Sequence, residues 1–211
     1  MIIVKENSPA KAWRKTLATL IDTKSPTDDR SKKLFKDSVF LLELNNSEKE
    51  NYDVNFPMTE EEINIINEYL VYGKKENEVI HEWTKKYRSR LFIEDKQIDR
   101  IIEYLKKKPY GKKAQASLWK QEEDINAKVA PCLQILWFQA NNQKLDLHIH
   151  MRACDCYGKL LMNINEFVAL QNFVAEQLNM EIGNYYMFVD SLHFNLKDKS
   201  EIEKVNTLLQ K

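Results

Sequence analysis

The sequence carries no excess of either charge, since 32 lysines and arginines balance 32 aspartates and glutamates among its 211 residues. A neutral chain is a poor candidate for coating nucleic acid or lying on a membrane surface, so we expect no nucleic acid and no membrane among its partners. Long hydrophobic runs are missing too, and none approaches the length that spans a membrane. The N-terminal stretch MIIVKENSPAKAWRK lacks the apolar core of a secretory signal.

Cysteine is scarce as well. Three cysteines are too few, and odd in number, to form a disulfide framework. Free thiols suit a reducing compartment, so we expect a cytoplasmic protein. Repeats and low-complexity segments are also absent, and the composition is that of an ordinary globular chain, with 43% hydrophobic and 30% charged residues. We therefore expect a single domain over residues 1–211.

Hydrophobic periodicity predicts an α+β chain. One helix begins with a capping box formed by Thr59 and Glu62 and ends at Gly73. Residues 164–179 form a long helix that is apolar on several sides, so we expect it to be buried with a mixed sheet packed around it. Further helices are predicted over 9–22, 77–87, 97–108 and the tail 197–211, and strands over 39–44, 114–119, 132–140, 145–153 and 184–195.

The stretch LDLHIHMRACDCYG suggests a metal site at first sight. His148, His150, Cys154 and Cys156 occupy even positions, with Arg152 between them. Alternate residues of a strand share a face, so two imidazoles and two thiols would lie together. However, ligands two residues apart on a flat strand diverge too far for easy tetrahedral closure around zinc. We expect no metal here, and we expect these side chains to serve packing or a dimer face.

Four stretches together resemble the thymidylate synthase family, which includes the pyrimidine nucleotide hydroxymethylases. They are QIDRIIEYLKKKPYGKKAQASLW with the following APC, MRACDCYGKLLMNI, the helix that ends in LNMEIGNYY, and DSLHFN. The spacings from Cys132 to Arg152, Asp155, Asn163 and His193 match the family's pattern without gaps. Agreement of several polar residues is a more specific signal than one short motif.

The resemblance covers roughly residues 28–196 and implies a thymidylate-synthase-like fold whose sheet face forms a homodimer interface. It also implies transfer of a one-carbon unit from 5,10-methylenetetrahydrofolate to C5 of a uracil nucleotide, dUMP or UMP, giving a methyl or hydroxymethyl product. We expect this chain to lack the family's usual C-terminal segment, which closes over substrate and folate. The alternative is a nucleotide-binding protein that has lost folate-dependent chemistry.

The resemblance assigns four catalytic residues. Cys132 corresponds to the nucleophile, whose thiolate adds to C6 of the pyrimidine and makes C5 a carbon nucleophile. That role suits a lowered thiol pKa, for which nearby arginines would supply positive charge. Glu68 corresponds to a glutamate that organises water and proton transfer, Tyr87 to an active-site tyrosine, and Asp155 to the aspartate that holds the pterin ring. A buried core cysteine and a solvated helix glutamate are the alternatives for the first two.

Phosphate ligands follow from the same comparison. Arg30 and Arg152 correspond to arginines whose guanidinium groups bind phosphate oxygens. Lys112 and Lys113 lie where the family has an Arg-Arg pair that reaches into the phosphate site of the neighbouring subunit. A solvated basic turn is the alternative for the two lysines.

Base and sugar contacts complete the resemblance. The amide of Asn163 can donate to O4 and accept from N3–H of uracil, whereas family members that act on cytosine carry aspartate there. An ordinary helix cap is the alternative. His193 corresponds to a sugar-hydroxyl contact, but the tyrosine expected two positions later is Asn195, so ribose and deoxyribose both stay open. Ala153 replaces the family's serine, and Ile80 replaces a folate-binding tryptophan.

Overall fold

A computed structural model of the chain describes residues 1–22, 34–45 and 48–196, together with Thr207. Its strands form a six-stranded sheet in which the first two pair in parallel, the last pairs in parallel with its predecessor, and the other neighbours are antiparallel. In chain order these strands are β1 (Ile2–Glu6), β2 (Leu34–Leu44), β3 (Gln115–Ser117), β4 (Leu133–Asn141), β5 (Lys144–Asp155) and β6 (Glu181–Leu196). Across the sheet they run β1-β2-β6-β5-β4-β3.

Helices cover one face of this sheet. They are α1 (Pro9–Asp22), α2 (Glu60–Tyr72), α3 (Glu82–Arg88), α4 (Gln97–Lys107), α5 (Gln121–Asp124) and α6 (Leu160–Leu178). The limits of α2 follow from local chemistry, because Thr59 and Glu62 form the predicted capping box and Gly73 ends the helix with φ of 70°. A π-helical turn, Ser89–Glu94, follows α3 directly.

The prediction of one continuous helix over 77–87 is wrong. A short 3₁₀ turn, Glu76–Glu78, and α3 replace it, because Val79 and His81 between them have extended backbone angles. Strand β1 was not predicted, and it pairs in parallel with β2 at the edge of the sheet. Apart from Thr207, the predicted tail helix lies outside the described residues.

Helix α6 is the centre of the molecule, as its apolar sequence predicts. It packs against α1, α2 and α4 on its outer sides and against β5 and β6 on its inner side. Phe167 and Leu170 are completely buried, but so are the polar residues Glu166 and Gln171. Apart from its C-terminal end, where Glu176 is exposed, a helix enclosed in this way has no solvent-facing side for its polar groups.

The two faces of the sheet differ in character. Along β5, every second residue from Leu145 to Met151 is buried against the helices, and the residues between them are only partly buried. On that second side, the ring of His148 lies 4.8 Å from Trp137 and 4.7 Å from Tyr186. His150 lies 5.4 Å from Phe188. We call these five side chains the aromatic face.

The four residues of the suspected metal site do not share one environment. His148 and His150 belong to the aromatic face, whereas Cys154 and Cys156 are buried. Within residues 1–22, 34–45 and 48–196, no group of three or more histidine, cysteine, aspartate or glutamate side chains is arranged to hold a metal ion. No helix in the same part of the chain is long and apolar enough to cross a membrane.

Candidate active site

Five of the predicted site residues line one cavity of about 220 Å³. It lies where the carboxyl end of β5, the start of β4 and the first turn of α6 meet α3. The predicted residues in its wall are Tyr87, Cys132, Asp155, Asn163 and His193, and the others are His81, Trp83, Ala153, Cys154, Lys159 and Met162.

Cys132 is half-buried immediately before β4, and its neighbours fix its position. The Tyr87 hydroxyl accepts a hydrogen bond from the Leu133 amide at 3.2 Å. The carbonyl of Cys132 accepts one from the Arg152 amide at 2.9 Å. The thiol is therefore presented to the cavity by backbone that is tied to both α3 and β5.

The loop before Cys132 is anchored by a buried ion pair. Arg90, in the π-helical turn, pairs with Asp124 of α5, and both side chains are almost fully buried. The Arg90 guanidinium and the backbone amide of Lys120 hold the pKa of Asp124 at about 2, against the burial that would raise it. Lys86 donates to the carbonyl of Val129 at 2.8 Å, so the chain reaches the cysteine along a fixed path.

The expected lowering of the Cys132 pKa does not occur. Burial raises the pKa of this thiol, and the positive charge of Arg152 opposes that effect only in part. The Arg152 guanidinium is exposed and donates to the carbonyls of Pro131 at 3.1 Å and Ala130 at 3.2 Å. A charge at the surface is screened by water, and so its influence on the thiol is weak.

Asn163 is buried in the first turn of α6 and lies in the cavity wall. Its amide group donates to the sulfur of Cys154 at 3.4 Å. The helix begins at Leu160, four residues before the predicted start, so Asn163 is inside the helix and the helix-cap alternative fails. Because the residue is buried and lines the cavity, a ligand in the cavity can reach its amide group.

Asp155 and His193 complete the wall. Oδ1 of Asp155 accepts from the backbone amides of Tyr157 at 3.0 Å and Gly158 at 3.2 Å, which fixes the turn between β5 and α6. Nδ1 of His193 lies 3.2 Å from the carbonyl of Ser191 and donates to it. Asp155 also borders an adjoining cavity of about 340 Å³. Its wall has an apolar part, formed by Pro57, Met58, Ile80, Tyr157 and Phe194, and a polar part, formed by Glu62, His81 and Lys159.

The structure does not bring Glu68 into this cavity. Helix α2 buries Ile63, Ile66 and Leu70, and Glu68 lies away from that stripe. Its carboxylate pairs with Lys75 at 3.2 Å, and both side chains are about two-fifths exposed. The catalytic assignment of Glu68 therefore has no support from its position.

The remaining predicted ligands lie elsewhere. Lys112 and Lys113 are exposed in the turn before β3, outside the cavity of their own chain. Arg30 lies outside the described residues, as does the side chain of Asn195, whose backbone pairs with Phe35 in the sheet.

Two groups near the cavity were missed by sequence reasoning. Lys159 Nζ lies 3.1 Å from Nδ1 of His81, and both residues line the cavity. Burial, followed by the Lys159 charge, lowers the pKa of His81 to about 4, so the imidazole is neutral at pH 7 and accepts from the ammonium. Glu166 is fully buried in α6, and burial raises the pKa of its carboxyl group to about 8. The sequence did contain a signal for this buried carboxyl group, because the glutamate lies within the apolar run INEFVAL.

Comparisons with known proteins point to one family. A thymidylate synthase family model matches residues 32–211. Thymidylate synthase of Mycoplasma mobile is 27% identical over 134 residues, which span 64% of this chain but only 46% of the relative. A putative thymidylate synthase of Methanocaldococcus jannaschii is 24% identical over 208 residues, or 92% of this chain and 90% of that one.

The fold agrees with a solved structure as well. Thermostable thymidylate synthase A from Bacillus subtilis superposes with a TM-score of 0.76 over 97% of this chain and 85% of that one, at 14% identity. The likeness at this identity shows the fold, and the mixed sheet packed around a buried helix is the expected arrangement.

The cavity predicts which cysteine reacts in the native protein. Iodoacetamide is expected to label Cys132 first, because Cys154 and Cys156 are completely buried and burial raises the pKa of both thiols. Arg152→Met should slow labelling at pH 8 by a few-fold, since the pKa of Cys132 rises further. The control Arg100→Met removes an exposed cation of α4 and should change nothing. Peptide mapping that finds Cys154 or Cys156 modified first would contradict this assignment.

Proposed function

The chain belongs to the thymidylate synthase family, and from this premise we propose that it transfers a one-carbon unit to C5 of a uracil nucleotide. The observation that carries the proposal is the meeting of Cys132 and Asn163 in one cavity, with Asp155 and His193 beside them. A sulfur nucleophile and a base-pairing amide are the two groups that addition to a uracil ring requires.

The proposed reaction begins when the Cys132 thiol loses its proton to water and the resulting thiolate adds to C6 of the uracil ring. The new S–C6 bond uses the sulfur electron pair, and the C5=C6 pair shifts toward O4, so that C5 becomes the carbon nucleophile. Asn163 donates an N–H to O4 and accepts the N3–H, which favours uracil over cytosine. His193 contacts the sugar in this proposal, and Tyr87 keeps the cysteine at the base through the Leu133 amide.

The adjoining cavity fits a folate. A pterin ring needs a carboxylate at its hydrogen-bonding edge and apolar contact on its faces, and Asp155 with the neighbouring apolar wall offers both. Methylenetetrahydrofolate supplies the one-carbon unit and, for a methyl product, the reducing equivalents. Asp155 would hold it, with the carboxylate already oriented by the Tyr157 and Gly158 amides.

The nucleotide phosphate needs cations, and we assign them to Arg152 and Arg30 of the same chain. Arg152 is exposed beside the cysteine loop, where its guanidinium can exchange backbone carbonyls for phosphate oxygens. Lys112 and Lys113 would reach the phosphate of a second copy. We treat residues 1–211 as one domain that acts in the cytoplasm, where thiols are reduced.

The aromatic face supports a homodimer. Trp137, His148 and Tyr186 stack across three neighbouring strands, and Phe188 is 36% exposed beside them. A contiguous patch of this kind on an ordered sheet is typical of a protein interface. We therefore assign this face to the contact between two copies of the chain.

A second candidate function has its own observation. The base-side residues gather in the cavity, whereas Glu68 does not, and Ile80 in the adjoining wall is 77% exposed. A protein that binds pyrimidine nucleotides without folate chemistry would keep the residues that contact the base. It would lose the residues that serve catalysis and folate binding.

Tritium release from 5-³H-dUMP and 5-³H-UMP separates the two functions. Release that requires methylenetetrahydrofolate supports transfer, and release without it indicates that C6 addition serves another reaction at C5. Nucleotide binding with no release supports the binding protein. Cys132→Ala should reduce release to background while calorimetry still detects the nucleotide. Full release from this variant would contradict the proposed nucleophile.

Sedimentation equilibrium tests the dimer. The chain is expected to be dimeric at micromolar concentration, and Phe188→Glu should produce monomers, because it buries a charge in the apolar contact. Ile93→Glu, at another exposed apolar position, is the matched control and should stay dimeric. A monomeric parent protein would overturn the assignment of the aromatic face.

A further inference from the structure

Glu166 is a buried carboxyl group to which the proposed reaction gives no role. Neither of its oxygens has a hydrogen-bond partner, and the same is true of the buried Thr84 hydroxyl. Thr84 lies close enough to lower the pKa of the carboxyl group slightly, yet the two groups do not meet in hydrogen-bond geometry. An unpaired buried carboxyl destabilises a fold, and an apolar residue would fill this position at lower cost.

The position of Glu166 on α6 relates it to the cavity. It follows Met162 by four residues and Asn163 by three, and both of these line the cavity. Helical side chains lean toward the N-terminus of their helix, so the carboxyl group lies over the turn that contains those two residues. Glu166 is therefore directly behind the cavity wall.

Helix α3 approaches the same place from the other side. Thr84 precedes the wall residue Tyr87 by three positions, which places both side chains on one face of α3. Burial raises the pKa of Tyr87 most, and Cys132 and Glu166 add smaller electrostatic contributions, so Glu166 and Tyr87 are within electrostatic range. One face of α3 thus carries the Thr84 hydroxyl, which influences the pKa of Glu166, and the Tyr87 hydroxyl in the cavity wall.

The pKa of this carboxyl group lies close to neutral pH. Burial raises the pKa of Glu166 to about 8, although the Lys159 ammonium opposes that rise. The carboxyl group is consequently protonated at neutral pH but can ionise without a large cost, as a proton-transfer group must. The other titratable groups that face this region are Tyr87 on α3, Tyr185 on β6 and Cys154 on β5, with Glu62 in the first turn of α2 acting on Lys159.

We propose that Glu166 is the proton reservoir of the cavity, a positioning residue that acts through the hydroxyls of Thr84 and Tyr87 and bound water. This role rests on the proposed function. As sulfur bonds to C6 and the C5=C6 electron pair moves to O4, a proton passes from the carboxyl group along the hydroxyls to O4. Glu166 is left as a carboxylate beside the Lys159 charge, and the proton returns when the adduct collapses.

The pH profile of tritium release in the intact protein tests this role. In the parent protein, release should fall as pH rises through about 8, because the donor is lost as Glu166 ionises. Glu166→Gln should lower release about 10²-fold and abolish the fall of release at high pH. Its affinity for the nucleotide should stay within twofold of the parent. Thr84→Val should give the same loss of release. Glu176→Gln, on the exposed side of the same helix, is the matched control and should behave as the parent.

Thermal unfolding supplies a second measurement. The pKa of Glu166 is about 8 in the folded chain, whereas the ordinary pKa of a glutamate carboxyl group is 4.5. Since ionisation disfavours the folded state, the Glu166 contribution to stability should fall as pH rises from 4.5 to about 8 and then level off. Glu166→Gln should remove this dependence. If it does so and release is unchanged, the carboxyl group is only structural and the proposal is overturned.

Three other outcomes are distinguishable. Full release from Cys132→Ala would defeat the proposed function itself. Loss of release in Cys132→Ala together with a parent-like pH profile in Glu166→Gln would defeat this inference alone. If Glu68→Gln abolishes the fall of release at high pH and Glu166→Gln does not, the proton comes from Glu68, and the role of Glu166 is overturned.

Discussion

The enclosure of helix α6 is the constraint on which the site depends. Because sheet and helices surround it, each buried polar side chain on it must find a partner inside the protein or face a cavity. Asn165 donates to the carbonyls of Asn51 and Leu161, and Gln171 donates to those of Leu145 and Asn184. These two residues tie the helix to its surroundings. The other two buried polar residues, Asn163 and Glu166, belong to the first turns, where the cavity lies.

The same enclosure fixes the cysteine relative to the base-pairing amide. Strand β5 packs against α6 and carries Arg152, whose backbone holds the carbonyl of Cys132. Tyr87 packs its ring 6.0 Å from Phe167 of α6 and supports the next residue of the cysteine strand. Nucleophile and amide are thus positioned through one rigid core, which is the preorganisation that chemistry at a defined carbon atom requires.

Sequence reasoning located the residues that follow one another without gaps. From Cys132 to His193 the elements keep their spacing, and the structure places Cys132, Asp155, Asn163 and His193 around one cavity. The position of Glu68 does not support its assignment to the site. Each residue turns a helix by about 100°, so a small error in the alignment moves a side chain from the core to solvent. The thiol pKa could not be predicted either, because it reflects how deeply Cys132 is buried and how exposed Arg152 is. Alternation along the strand placed Cys154 on the face of His148 and His150. In the structure its sulfur instead accepts a hydrogen bond from Asn163 on the helical side.

Calorimetric titration with dUMP, UMP, dCMP and CMP tests the central claim most directly, namely that Asn163 reads a uracil base in the cavity beside Cys132. The account predicts that uracil nucleotides bind at least about tenfold more tightly than cytosine nucleotides, a difference of about 1.4 kcal/mol. Asn163→Asp should reverse that preference, because a protonated carboxyl group can pair with the cytosine edge. Equal affinities for all four nucleotides, or a preference that Asn163→Asp leaves unchanged, would contradict the account.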